Sequence, residues 1–194
     1  QNIGFLRNRG VDLNLHYRQD LDDLGLHHLG SLAFNMTGTY LLEQTISTFA
    51  SRYDCAGLYG ATCSAGDVNG PNFRWRHQAR LTWLTPWQLD FSVRWRYLSH
   101  VSLDSNDPQP ALNSGNYDAY DGVIPAVNYM DLSLSWSVWK QFRLTAGVKN
   151  ALDVDPPLLN HKVVYRVNGG GNEDVYNAYD VVGRELFLTA SAKF

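Results

Sequence analysis

Two cysteines, six histidines and several acidic clusters are the residues of this 194-residue chain with the most direct chemical potential. Cys55 and Cys63 lie in Tyr53-Asp-Cys-Ala-Gly-Leu-Tyr-Gly-Ala-Thr-Cys63. In an oxidising compartment such a pair closes a small disulfide loop. A metal centre would need further ligands, and only Asp54 and Asp67 stand near in sequence. His16, His27, His28, His77, His100 and His161 fall in separate segments, and no serine or cysteine has a nucleophile signature around it. Ser99 and His100 adjoin, but neighbours along a strand point to opposite faces. The runs Asp104–Asp107, Asp118–Asp121 and Asp153–Asp155 lack the regular oxygen spacing and closing bidentate carboxylate of a calcium loop, and read as solvated loop. Gly169-Gly170-Gly171 leads into Asn-Glu-Asp and no helix, which excludes a phosphate cradle. No catalytic residue, metal or cofactor is expected, and the chain does not read as an enzyme.

The most charged feature is a set of basic residues at alternate positions: Arg18, Arg74, Arg76, Arg80, Arg94, Arg96, Arg143 and Lys149. Their spacing identifies the elements that carry them. Phe73, Trp75, His77, Ala79, Leu81 and Trp83 alternate with Arg74, Arg76, Gln78, Arg80, Thr82 and Leu84, a period of two and not 3.6. Leu89, Phe91, Val93, Trp95 and Tyr97 repeat the pattern against Asp90, Ser92, Arg94 and Arg96. Thr85-Pro-Trp-Gln88 joins the two segments as a tight turn. The same alternation runs through Val11–Arg18, Leu32–Glu43, Met130–Val138, Phe142–Lys149 and Glu185–Phe194. Seven strands of about the ~9–11 residues needed to cross a bilayer are therefore expected, each with one apolar and one polar face.

Connections alternate as well. The links at Gln19–His28, Thr85–Gln88 and Trp139–Gln141 are short, whereas Ser47–Asn72, His100–Ile124 and Leu152–Val181 each exceed twenty residues. Outer-membrane barrels have short periplasmic turns and long extracellular loops. Composition agrees. Aromatics reach 13% while charged residues are only 18%, below the ~25% of an average soluble domain. A net charge of -3 argues against nucleic acid as a partner. No apolar run suffices for a spanning helix, and the first twenty residues lack the apolar core of a signal peptide, so a mature chain or an internal stretch is expected. The mean hydropathy of -0.30 does not exclude a barrel, in which only every second residue meets lipid. Tyr17, Trp75, Trp83, Trp87, Trp95, Tyr97 and Trp136 sit toward the ends of the apolar faces, where a ring can lie half in hydrocarbon and half among headgroups.

The segments Arg9-Gly-Val-Asp-Leu-Asn-Leu-His-Tyr17, Trp75-Arg-His-Gln-Ala-Arg-Leu-Thr-Trp83, Met130-Asp-Leu-Ser-Leu-Ser-Trp136, Leu144-Thr-Ala-Gly-Val-Lys-Asn-Ala-Leu-Asp153 and Gly183-Arg-Glu-Leu-Phe187 together resemble the C-terminal part of the barrel of TonB-dependent outer-membrane receptors. The last two are specific when found in this order. A closing Phe194 on an alternating strand resembles the signal read by barrel-assembly machinery. The resemblance implies an all-β antiparallel transmembrane barrel of 22 strands with a plugged lumen, located in the bacterial outer membrane. It also implies uptake of a siderophore-, cobalamin- or carbohydrate-type nutrient energised through TonB. Expected partners are outer-membrane lipid and lipopolysaccharide, the plug and remaining strands, the TonB complex, and a small-molecule nutrient. Residues 1–194 show no plug and no TonB box, so they correspond to about the last third of such a barrel.

Seven strands cannot close alone, because the first and last run in the same direction. The alternative is a small or oligomeric outer-membrane barrel with a structural or passive pore role. The basic wall also has two readings: a lumen lining that attracts anionic cargo, or charges paired with Asp12, Asp90, Asp131, Glu185 and a plug. Either membrane reading requires that membranes release the protein only into detergent; release by high salt or alkaline washing would identify a soluble sandwich instead.

Overall fold

In a computed structural model, the described residues are 4–64, 70–115, 118–139, 141–159 and 178–193. Phe194, Asp67, His161 and the Gly169–Gly171 run lie outside them. The strands are β1 (Phe5–Asp20), β2 (Ser31–Ser47), β3 (Arg52–Asp54), β4 (Leu58–Tyr59), β5 (Trp75–Leu84), β6 (Leu89–Leu98), β7 (Val101–Leu103), β8 (Val123–Ile124), β9 (Val127–Trp139), β10 (Phe142–Lys149) and β11 (Glu185–Ala192). All seven long strands expected from the alternation are present. They pair antiparallel in chain order, β1-β2-β5-β6-β9-β10-β11, with β3 folded back on β2. Several outrun the expectation: β1 begins at Phe5, β2 continues to Ser47 and β9 starts at Val127.

Register turns the alternation into two continuous surfaces. Tyr17, Phe34, Leu81, Val93, Leu132, Val148 and Leu186 are successive cross-strand partners, an apolar row spanning all seven strands. His16, Asn35, Arg80, Arg94 and Asp131 form a polar row on the opposite face. Among the described residues the apolar face carries no covering layer: Leu186 is 77% exposed and Leu188 70%. An uncovered apolar surface of this breadth is foreign to soluble monomers.

The strand ends joined by the three short connections lie on one rim, and those joined by the three long ones on the other. The described parts of the long ones carry structure of their own, contrary to a reading as open loop. β4 pairs parallel with β7, which pairs antiparallel with β8. Tyr59, Phe73, Val101, Leu103, Ile124, Val127, Tyr129, Leu159 and Tyr179 make their core. Phe73, expected in a strand, instead belongs to this cap.

The two segments most specific in the sequence meet here. Gly147 opposes Phe187, whose ring fills the space a Cβ would occupy, 2.5 Å away. Lys149 pairs with Glu185 at 3.2 Å. Beyond β10 the chain turns through Asn150 and Asp153, both at positive φ. The Asn150 side chain accepts from Val154 N–H and donates to Val154 C=O, each at 2.9 Å, and Asp153 Oδ1 accepts the Arg184 N–H at 2.9 Å. A Gly147→Val change would drive its side chain into the Phe187 ring and the Leu132 carbonyl, also 2.5 Å from a Cβ. A loss of about 1–3 kcal/mol is expected from such overpacking, seen as a lower temperature for losing the compact, heat-modifiable band on electrophoresis; an unchanged temperature would refute this coupling.

Candidate ligand-facing site: the charged face and its loop cap

Alternation on β1, β5, β6 and β10 delivers the basic side chains to one face, and the acids then divide them into two groups. Arg143 pairs with Asp90 at 3.0 Å, and Arg94 and Arg96 both reach Asp131, at 2.6 and 3.0 Å. With Lys149 on Glu185, half of the expected basic set is neutralised inside the wall. The expectation that Asp12 shares in this pairing is not met. Its carboxylate accepts the Thr39 hydroxyl at 2.8 Å. Arg18, Arg76 and Arg80 form no ion pair among the described residues, and Arg80 donates to Ser92 at 3.2 Å. Arg74 stands just before β5, its side chain lying where a Cβ on Gly57 would be, with Nε 2.9 Å away. Two further arginines, Arg7 and Arg9, converge on Glu43 at 3.9 and 3.2 Å beside a bulge in the β1–β2 ladder.

Asp131 is the densest node. Its side chain is 7% exposed and accepts from Arg94, from Arg96 and from the Asn150 backbone N–H at 2.8 Å. Arg96 also grips Asp180, through Nη1 at 2.9 Å and Nη2 at 2.5 Å. Its guanidinium lies over the Tyr129 ring, 4.8 Å from the centroid, and the Tyr129 hydroxyl accepts the Asp180 N–H at 3.1 Å. The wall and the third long connection are thereby tied together. Asp180 lies 84 residues from Arg96, inside a connection without periodicity, and no sequence signal joins them.

Below the cap, the charged face forms a hollow of about 500 Å³ lined by Asp12, Asn14, Thr39, Arg76, Gln78, Arg96 and Tyr129 among others, with Ala178 at its edge. A second, of about 510 Å³, lies toward the short-turn rim between Arg80, Asp90, Arg94, Arg143 and Lys149. Both offer guanidinium, amide and hydroxyl donors to an anionic or oxygen-rich ligand. No cluster among the described residues could hold a metal ion.

Cys55 and Cys63 form the expected disulfide, with Cα atoms 5.4 Å apart. Both are buried, packed with Leu58 and Leu112. The short loop they close wraps the Asp104 carboxylate, which accepts the N–H groups of Thr62 and Cys63 at 2.8 Å each. Gly60 has φ 132° and sits where a Cβ would lie 2.2 Å from that carboxylate. Asp104 and Asp121 are only 3% and 4% exposed. Both are buried, a correction to the solvated-loop reading: Asp104 anchors the disulfide loop through its carboxylate, and Asp121 accepts the Tyr59 hydroxyl on its backbone carbonyl, pairings that carry no sequence signature. Gln109 adds two bonds to the Asp54 backbone, at 2.7 and 2.8 Å. Ser99 is likewise structural, its hydroxyl accepting the Trp75 N–H at 3.1 Å.

On the apolar face the aromatics fall near both strand ends. Trp75, Trp95 and Tyr97 surround His77 toward the long-loop rim, and Trp75 Nε1–H donates to His77 Nδ1 at 2.9 Å. Tyr17, Trp83, Trp87 and Trp136 lie toward the short-turn rim, where Trp83 Nε1–H donates to Leu29 C=O at 2.8 Å. Trp75 and Trp83 are eight residues apart on β5, roughly 27 Å of strand, or about 20 Å of height at a barrel tilt.

Residues 1–151 match the family described as TonB dependent receptor-like, beta-barrel. No curated protein matches the chain. A solved structure of similar fold is a point mutant of the ferric enterobactin receptor from Pseudomonas aeruginosa: 13% identity, TM-score 0.50, 96% of this chain covered and 22% of that one. The chain thus spans about a fifth of that receptor's length, and at this identity the likeness is one of fold.

Asp104→Ala would orphan the buried Cys63 N–H, at roughly 1–3 kcal/mol, and free the part-buried Thr62 N–H. The expected result is rapid proteolysis within residues 48–74 of the folded protein while the sheet survives; Asp104→Asn, which keeps one acceptor oxygen, is cut more slowly. Equal resistance of Asp104→Ala and the parent would contradict the anchoring role.

Proposed function

Because the chain belongs to the TonB-dependent receptor β-barrel family, we propose that it is the C-terminal stretch of the barrel of a bacterial outer-membrane receptor that imports a scarce nutrient with energy delivered through TonB. The observation that carries this reading is the division of one sheet into an uncovered apolar face and a basic, hydrogen-bonding face roofed by folded long connections. The apolar face meets lipid, with Trp75, Trp95 and Tyr97 at the outer headgroup level and Tyr17, Trp83, Trp87 and Trp136 at the inner one. The basic face lines the lumen, where Arg18, Arg76 and Arg80 face cargo or plug. Phe194 is read by the assembly machinery.

β1 and β11 run in the same direction and form no pair with each other among the described residues. In lipid, unpaired edges would cost several kcal/mol per backbone group. Further strands must therefore meet both edges, which favours a large receptor barrel over a small self-contained pore. The plug, the TonB complex and outer-membrane lipopolysaccharide are its partners. A siderophore-type, anionic cargo suits the unpaired arginines best among the nutrient classes, since a basic lumen concentrates anions.

The test is growth under nutrient limitation together with uptake of candidate labelled nutrients by cells carrying the full-length receptor. Uptake that saturates and vanishes on deleting TonB is expected, and Arg76→Gln with Arg80→Gln should weaken it at least several-fold through a higher half-saturation concentration. Uptake that persists without TonB and rises linearly with concentration would identify a passive pore.

A further inference from the structure

Arg96 serves two carboxylates that differ in how firmly they are held. Asp131 is nearly buried and accepts from three donors, Arg94, Arg96 and the Asn150 N–H. Asp180 is 28% exposed, and among the described residues its carboxylate is held by Arg96 alone. Asp180 belongs to a strap running from Tyr179, buried against Phe73, to Arg184, whose N–H is held by Asp153. Between these points Val181 and Val182 are exposed, at 61% and 77%. Among the described residues, Asp180 is therefore the one point between Tyr179 and Arg184 where side chains hold the strap, its carboxylate on Arg96 and its N–H on the Tyr129 hydroxyl.

The clasp adjoins the hollow below the cap through the two side chains that hold Asp180. Arg96 and Tyr129 line that hollow, and so does Arg76, which has no ion pair among the described residues. Gln78 stands directly opposite Arg96, which places Arg76 on the diagonal, about 7–8 Å away and within reach of a shared ligand for two long side chains. One anionic group could thus be held between Arg76 and the two Arg96 nitrogens that Asp180 occupies. A planar guanidinium binds one carboxylate or another with the same fork geometry.

We propose that Asp180 is an internal stand-in for an anionic group of the ligand. An oxyanion entering the hollow takes Asp180's place on Arg96, with Arg76 as its second partner, and the strap comes away from the wall between Tyr179 and Arg184. Asp131 stays in place and keeps Arg96 aimed into the hollow. Occupancy of the lumen is thereby converted into a change at the long-loop rim. The proposal rests on the reading of the charged face as ligand-facing, and it assigns to that face a carboxylate-bearing or similar oxyanion ligand.

Amide hydrogen exchange on the purified full-length receptor in detergent tests it, with malonate as a compact oxyanion probe and sodium chloride at matched ionic strength as the control. The Asp180 N–H, bonded to the Tyr129 hydroxyl, is expected to exchange roughly tenfold faster in saturating malonate, the factor for losing one charge-assisted hydrogen bond, and not in chloride. Asp180→Asn should exchange fast at residue 180 without malonate and show no further response. Arg76→Gln should shift the malonate midpoint upward. Equal effects of malonate and chloride, no effect of malonate, or slow exchange in Asp180→Asn would overturn the proposal. Failure of TonB-dependent uptake with the malonate response intact would instead overturn the uptake reading and leave the clasp standing.

Discussion

A single nearly buried carboxylate, Asp131, joins the wall of the sheet to the connections above it. It receives Arg94 and Arg96 from β6 and the backbone N–H of Asn150 at the turn that ends β10. Removing one partner of such a network strands the rest, at a cost of about 3–5 kcal/mol. Through Arg96 the same node extends to Asp180 and the Tyr129 ring, and Tyr129 belongs to the core of the cap. The described end of the third long connection is therefore tied to the charged face through one acid on one strand. The disulfide loop, fastened on Asp104, stiffens the cap from the opposite side.

A second constraint acts on the backbone. Within a bilayer each N–H and C=O must find a partner inside the protein, and ladders running from β1 to β11 supply these everywhere except at the two outer edges. Side chains can then be distributed by period alone, apolar outward and polar inward, because the ladder asks nothing of them. Two glycines show how closely the faces are packed. Gly38 lies under the Trp75 ring on the apolar face and Gly147 under the Phe187 ring on the charged face, with Cβ positions 2.5 Å from ring carbons in both cases.

The sheet was legible in the sequence because period two is a local property: all seven strands, their order of faces and the unequal rims follow from neighbouring residues. The Cys55–Cys63 bridge was legible because it too is local, a pair eight residues apart in one loop. The cap was not. Its strands β4, β7 and β8 are two or three residues long and offer no period, and its packing joins residues of three separate connections. Asp180 on Arg96, Asp104 under the disulfide loop and the Gln109 bonds to Asp54 link positions 84, 41 and 55 residues apart. Such pairings depend on the fold that brings them together. The Gly147–Asp153 and Gly183–Phe187 segments lie between these cases: recognisable as a pair in the sequence, and explained by three contacts across β10 and β11.

The central claim is that one sheet separates lipid from lumen residue by residue. The most direct measurement is a cysteine scan along Leu132–Ser137 and Leu144–Ala146 in the full-length receptor in intact outer membranes, labelled in parallel with a water-soluble maleimide and a lipid-partitioning one. Alternation with a period of two is expected, Ser133, Ser135 and Thr145 taking the water-soluble reagent and Leu132, Leu134 and Ala146 the lipid-borne one. Labelling of both sets by the water-soluble reagent alone, or a period near 3.6, would contradict it.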